Sequence, residues 1–297
     1  MSDTSKSDIE RNTFTVAMRD GEILKGWRYA RGSGETGSDH HLLALPDELG
    51  NARQLASLAH ALLAQDHGPA SIITTDMRGR GLSRDAKSDD TDVETDARDL
   101  ISICDALNLH HADILVTGRS SGILFNALPS RPTLCRKVVL NDAAPAFDPV
   151  GIAANTALVQ REGAPGDWKE AVARLIDRRP WLDERSDEEA LAYAKTVWRN
   201  NDGKPAHDRA RDLLRASNSG NFDDKQAEYW KEFAVLKNTP LLLIHGGESK
   251  LVTPNEIERM KKVAGKSLTV VEAEGQSHPP ELAVGALPKT VADFLAS

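Results

Sequence analysis

Residues 114–126 read ILVTGRSSGILFN. Ile114, Leu115 and Val116 form the apolar run of a buried strand, and the run stops at two glycines with Arg119, Ser120 and Ser121 between them. Gly118 to Gly122 fit G-x-S-x-G, a pattern in which a serine is held on a strained turn between a strand and a helix. Ile123, Leu124, Phe125 and Ala127 then supply the apolar start of a helix. In that strand–turn–helix setting Ser120 is the candidate nucleophile. The backbone N–H of Ser121, at a helix N-terminus, is the candidate donor to a developing oxyanion.

Outward from this stretch, HLLALP (41–46), SIITTD (71–76), KVVLND (137–142), PLLLIHG (240–246) and SLTVVEA (267–273) are further near-continuous apolar runs. Amphipathic helices separate them. Leu55, Leu58, Ala59, Leu62 and Leu63 follow a candidate N-cap at Asn51, and Val93, Ala97, Leu100, Cys104 and Leu107 follow a capping box Thr91-x-x-Glu94. Strands apolar on both faces and alternating with helices predict a mostly parallel α/β sheet covered on both sides. Residues 13–29 alternate around Arg19-Asp20-Gly21 and predict a hairpin. The glycine- and serine-rich stretch 31–39 predicts an exposed loop without the ending of a phosphate loop.

Residues 147–236 break the rhythm. They show no convincing strand but several helical patterns, two of them opened by Asp167-x-x-Glu170 and Ser186-x-x-Glu189, and they hold Trp168, Trp181, Trp198 and Trp230. The expected organisation is a core of 1–146 and 237–297 with a helical cap, 147–236, inserted between two core strands. Packing of the cap's own helices is the first role expected of its tryptophans.

Of the 297 residues, 40% are hydrophobic and 28% charged, a globular composition, and the formal net charge is -8. An acidic chain argues against nucleic acid or an anionic membrane as partner. The N-terminal MSDTSKSDIERN has no apolar stretch of a secretory signal, and no eighteen apolar residues run together, so a cytoplasmic location is expected. Cys104 and Cys135 lack framework spacing and read as reduced core residues. The expected partner is a small-molecule substrate, with a homodimer left open, and no cofactor or metal is expected.

A serine needs a base. His278 follows the last strand candidate on a loop, in EGQSHPPEL, and is the candidate. With it, LALPDELGNARQL, DMRGRGLS, VTGRSSG, VVLNDAAPAFDPVGI and LLIHGGESKLVTP stand in the order found in the α/β-hydrolase fold. The chain resembles bacterial members of that family from about residue 12 to its end. The resemblance implies an eight-stranded, mostly parallel sheet flanked by helices, with an inserted helical cap. It also implies a Ser-acid-His triad, in which Ser120 matches the nucleophile, His278 the base and Ser121 the first oxyanion donor. The usual acid after the seventh strand is replaced by Lys250, which cannot orient an imidazolium. Asp142, at the end of the sixth-strand run, takes its place as in haloalkane dehalogenases, with Glu248 a weaker choice.

A second departure lies in Pro46-Asp47-Glu48, where the resemblance implies a glycine-containing turn supplying the other oxyanion donor, a role that here falls to the Glu48 backbone. An unpaired carboxylate about 5 Å from an oxyanion costs roughly 3 kcal/mol at an effective dielectric near 20. Arg119, leaving the neighbouring strand, is expected to pair with Asp47 or Glu48 at the site mouth. Two functions follow. One is a serine hydrolase forming an acyl-enzyme on a small, apolar carboxyl ester, or on the same triad a carbon–carbon bond hydrolase of aromatic ring-fission products. The other is a degenerate member that binds a ligand or a partner without turnover. A dehalogenase or carboxylate-nucleophile epoxide hydrolase is disfavoured, since both need aspartate at position 120.

Overall fold

The computed structural model describes residues 9–32, 39–85, 92–161, 163–210 and 228–297. Its strands are β1 (Ile9–Ala17), β2 (Ile23–Arg31), β3 (His41–Leu45), β4 (Ser71–Asp76), β5 (Ala112–Thr117), β6 (Cys135–Asn141), β7 (Arg199–Asn201), β8 (Lys204–Ala206), β9 (Leu241–Gly246) and β10 (Leu268–Ala273). Eight of them form one sheet in the order β1-β2-β4-β3-β5-β6-β9-β10. β1 pairs antiparallel with β2, and β2 with β4. The rest of the sheet is parallel, as the apolar runs predict.

Alternation along each strand divides the core between the two faces. Ile114 and Val116 of β5 point into one cluster with Leu100 and Ile103 of helix α2 (Val93–Ala106), Leu124 of α3 (Ser121–Ala127) and Met260 of α8 (Pro254–Ala264). Leu115 points the other way, into a cluster with Leu58 and Leu62 of α1 (Ala56–Leu63) and Val291 and Leu295 of α9 (Leu287–Ala296). All three β5 side chains are fully buried. β10, at the sheet edge, is only half-buried.

Local signals explain several helix starts. Asn51 accepts a bond from Arg53 N–H, and Ser186 and Glu189 form a capping box at α6 (Asp187–Val197). Asp167 caps α5 (Trp168–Ile176). At α2 the cap is Asp92, whose carboxylate takes the Thr95 N–H at 2.7 Å, one residue after the expected Thr91, which lies outside the described residues. The loop expected at 31–39 also falls largely outside them. Cys104 and Cys135 are free and buried.

Between β6 and β9 stand α4 (Pro149–Arg161), α5, α6 and α7 (Trp230–Phe233). Ala171, Leu175, Leu182, Ala190, Ala194 and Trp198 form a small separate core there, with Trp168 and Trp181 packed on it. Trp230 belongs instead to the main core. The expectation that this region lacks strands is corrected by the β7–β8 hairpin. Asp202 and Gly203 both take positive φ, 49° and 84°, the two-residue turn that an Asp-Gly pair favours. No helix among the described residues is long and apolar enough to cross a membrane.

Candidate active site

The turn after β5 differs from the one the sequence suggests. Gly118 takes the left-handed conformation, φ +53°, while Ser120 is helical at φ -64°. The residue held in the strained position, between strand and helix, is therefore Gly118, two residues before Ser120. Ser120 is 1% exposed, and its hydroxyl donates to the Thr117 carbonyl at 2.8 Å and accepts from the Thr117 N–H at 3.1 Å. It fastens the turn and makes no hydrogen bond to His278.

Ser121 is corrected for the same reason. Its N–H turns back onto the Gly118 and Arg119 carbonyls, and its Oγ donates to the Ala144 carbonyl at 3.1 Å. The amide facing the site is that of Arg119, which donates to Asp47 Oδ1 at 3.1 Å. Asp47 reaches it because β3 pairs directly with β5. A chain of charges fixes the turn beyond β3: buried Arg80 donates from Nε to the Glu48 carbonyl at 2.7 Å and from Nη1 to Asp96 at 2.9 Å. The Arg119 guanidinium lies 3.1 Å from Glu48 Oε2, both side chains about 30% exposed. The mouth ion pair is thus made by Glu48, and at that exposure it contributes at most about 1 kcal/mol.

His278 and Asp142 meet. His278 Nδ1 lies 2.7 Å from Asp142 Oδ2. Asp142 is fully buried in a left-handed turn (φ 47°) at the end of β6, and it also receives Ser249 Oγ at 2.6 Å, the Gly246 N–H at 3.2 Å and His245 Nδ1 at 3.1 Å. Burial opposes its ionisation, but the bonds from His245, His278 and Ser249 outweigh that and hold its pKa below the usual carboxylate value. Lys250 is exposed, and Ser249 beside it makes the contact to Asp142. Glu248 is exposed on the cavity wall. Sequence reading missed His245; its signal was a histidine one residue before the end of the otherwise apolar β9, which pairs with the strand that Asp142 follows.

The other His278 nitrogen, Nε2, is buried without a hydrogen-bond partner, 3.9 Å from Asp47 Oδ2. A Cβ on Gly118 would stand 2.6 Å from Asp47 Oδ1 and 2.7 and 2.9 Å from His278 Cε1 and Nε2. Asp47 and His278 together fill the space of the side chain that Gly118 lacks. Desolvation disfavours the His278 cation, yet the two carboxylates overcome it and raise its pKa to about 9. Burial likewise opposes the Asp47 anion, and His278, the Glu48 amide and Arg119 nonetheless lower its pKa. At neutral pH the site holds an imidazolium between two carboxylates.

Above this triple opens a cavity of about 700 Å³, lined by Trp181 and Trp198 but also by Arg119, Arg178, Arg179 and Arg209. It is more charged than a pocket for an apolar ester. Among the described residues no group of three or more His, Cys, Asp or Glu side chains is placed to hold a metal.

A left-handed turn between β5 and α3, with a histidine after β10 paired to an acid, sits where this architecture carries its chemistry. The alpha/beta hydrolase fold family model matches residues 49–279, and the chain belongs to that family. Among solved structures, an alpha/beta hydrolase from Novosphingobium aromaticivorans superposes with a TM-score of 0.76 at 21% identity, covering 97% of this chain and 98% of that one. E-2-(acetamidomethylene)succinate hydrolase gives 0.76 at 19%, covering 97% and 100%. A haloalkane dehalogenase from Bradyrhizobium elkani gives 0.63 at 16%, covering 97% and 98%. At these identities the likeness is one of fold. No curated protein sequence matches the chain.

Proposed function

We propose that the chain hydrolyses a small molecule bound in the cavity over Gly118, with the Asp142–His278 pair as proton carrier and without an acyl-enzyme on Ser120. The observation that carries this reading is the direction of His278. One nitrogen is fixed on Asp142, and the other faces Gly118 and Asp47 unbonded, while the Ser120 hydroxyl is engaged with Thr117. A proton-carrying histidine contributes about 10²–10⁴-fold to a rate. The hydrolases and the dehalogenase among the structural relatives accord with hydrolysis as the reaction class.

The test is turnover of a panel of carboxyl esters, lactones and epoxides. His278→Gln lowers turnover by about 10²–10⁴-fold. Ser120→Ala keeps it, losing only the turn-fastening bonds at about 1 kcal/mol of stability, and a fluorophosphonate probe leaves the wild type unlabelled. Labelling that disappears in Ser120→Ala restores the serine acyl-enzyme, for esters or for carbon–carbon cleavage, and sinks this reading. A ligand-binding role without turnover has one observation in its favour, the Asp47 carboxylate seated on the Arg119 amide. Absence of turnover across the panel, with ligands still bound, selects it.

A further inference from the structure

We propose that Asp47 is the reacting carboxylate of this site, and that it opens an epoxide to form an ester that His278 and water then hydrolyse. The inference rests on His278 being the proton carrier and goes beyond it by assigning the nucleophile and the substrate class. Three observations converge. Asp47 Oδ1 accepts the backbone N–H of Arg119 in the turn after β5. Asp47 Oδ2 faces His278 Nε2 at 3.9 Å. The carboxylate also occupies the space that a side chain on Gly118 would need, so an attacking group is present there although the turn residue has none. The Asp47 side chain is 28% exposed and lines the cavity, open to a bound molecule.

The charge state selects the electrophile. Since His278 begins as a cation, the first step has a proton to give, and a strained cyclic ether needs one. An electron pair of Asp47 Oδ2 forms a bond to an epoxide carbon as the ring carbon–oxygen bond breaks, and the freed oxygen takes the proton from Nε2. Asp47 is now a neutral ester and no longer favours the imidazolium, so His278 is left a neutral base oriented by Asp142. It takes a proton from water, and the hydroxide oxygen adds to Asp47 Cγ. The negative charge develops on Oδ1, against the Arg119 N–H. Collapse breaks the bond between Cγ and the alkyl oxygen, which leaves with the proton of the newly added hydroxyl. The products are a diol, the Asp47 carboxylate and the His278 cation, so every proton is returned.

Single-turnover reactions in H₂¹⁸O, with the full chain in excess over styrene oxide or 1,2-epoxyhexane, test this. The first-turnover diol is expected to be unlabelled, because its new oxygen comes from Asp47, while the peptide containing Asp47 gains ¹⁸O. In wild type quenched within the first turnover the ester is expected as a mass increase on that peptide, and Asp47→Asn shows none. ¹⁸O in the first-turnover diol, or no reaction of either epoxide with folded wild-type chain, overturns the proposal. The wild-type measurement stands even if a variant fails to fold. If His278→Gln still loses turnover of another substrate in the panel, the proton-carrier reading survives the loss of this one.

Discussion

Asp47, His278 and Asp142 determine one another's charge. Two carboxylates on one imidazole raise its pKa to about 9, with Asp142 hydrogen-bonded at 2.7 Å and Asp47 reaching it at 3.9 Å. Removing the Asp47 charge removes one of these supports. In Asp47→Asn the His278 pKa is expected to fall from about 9 toward the ordinary 6.5, read from the Cε1–H resonance of His278 in an NMR titration. A value that stays near 9 would mean that Asp142 alone holds the proton. His278 was legible in the sequence as the histidine on the loop after the last strand run, and Asp142 through the family resemblance, which allows an acid at the end of the sixth-strand run. Ser120 was misread for a physical reason. G-x-S-x-G constrains where glycines stand but not which residue takes the left-handed turn, and a glycine adopts that conformation more readily than a serine.

Among the elements, the turn after β3 depends on a helix and a strand end far from it in sequence. Arg80 joins the Glu48 carbonyl to Asp96, a carboxylate buried on α2. Burial pushes the Asp96 pKa up to about 6 even with Arg80 beside it. Arg80→Met leaves that carboxylate without its partner and frees the turn that carries Asp47. A loss of about 3–5 kcal/mol is expected from breaking a buried pair, measured by denaturant unfolding, together with lower turnover. Unchanged stability would show that Arg80 does not hold the turn. The sequence displayed D-M-R-G-R-G only as a family motif. Its mechanical role depends on which carboxylates the fold brings to each arginine, and no local pattern encodes that. The strands and caps were readable because their causes are local, whereas the β7–β8 hairpin was missed, although Asp202-Gly203 is itself a local turn signal.

At the scale of the whole molecule, the site's ions couple stability to pH. His278 has a folded pKa raised above 6.5, so its ionic contribution is complete below pH 6.5 and is lost as pH rises through about 9. Asp47 and Asp142 have lowered pKa values, so their contributions persist above the ordinary carboxylate range and fade in acid. The melting temperature of the wild type is expected to drop between pH 6.5 and pH 9.5. A shift from 6.5 to about 9 corresponds to roughly 3 kcal/mol, or about 6 °C for a chain of this size. His278→Gln should lose that alkaline slope, and a variant that keeps it would place the cause elsewhere. The mostly parallel sheet was the most legible feature, since near-continuous apolar runs are a large-scale signal. The cavity's charge was not, because Arg178, Arg179 and Arg209 gain meaning only once the fold brings them to the same cavity as Arg119 and His278.

The pairing of β3 with β5 has a wider consequence. Neighbouring strands lie about 4.8 Å apart, a distance one side chain spans. A reacting group can therefore change strands while its histidine stays where it was. Such a transposition is invisible to any comparison that inspects only the turn after β5. Aligned on Ser120 the chain passes for a serine hydrolase, aligned on Gly118 it passes for an inactive relic, and the residue to compare across relatives is the one that follows Pro46.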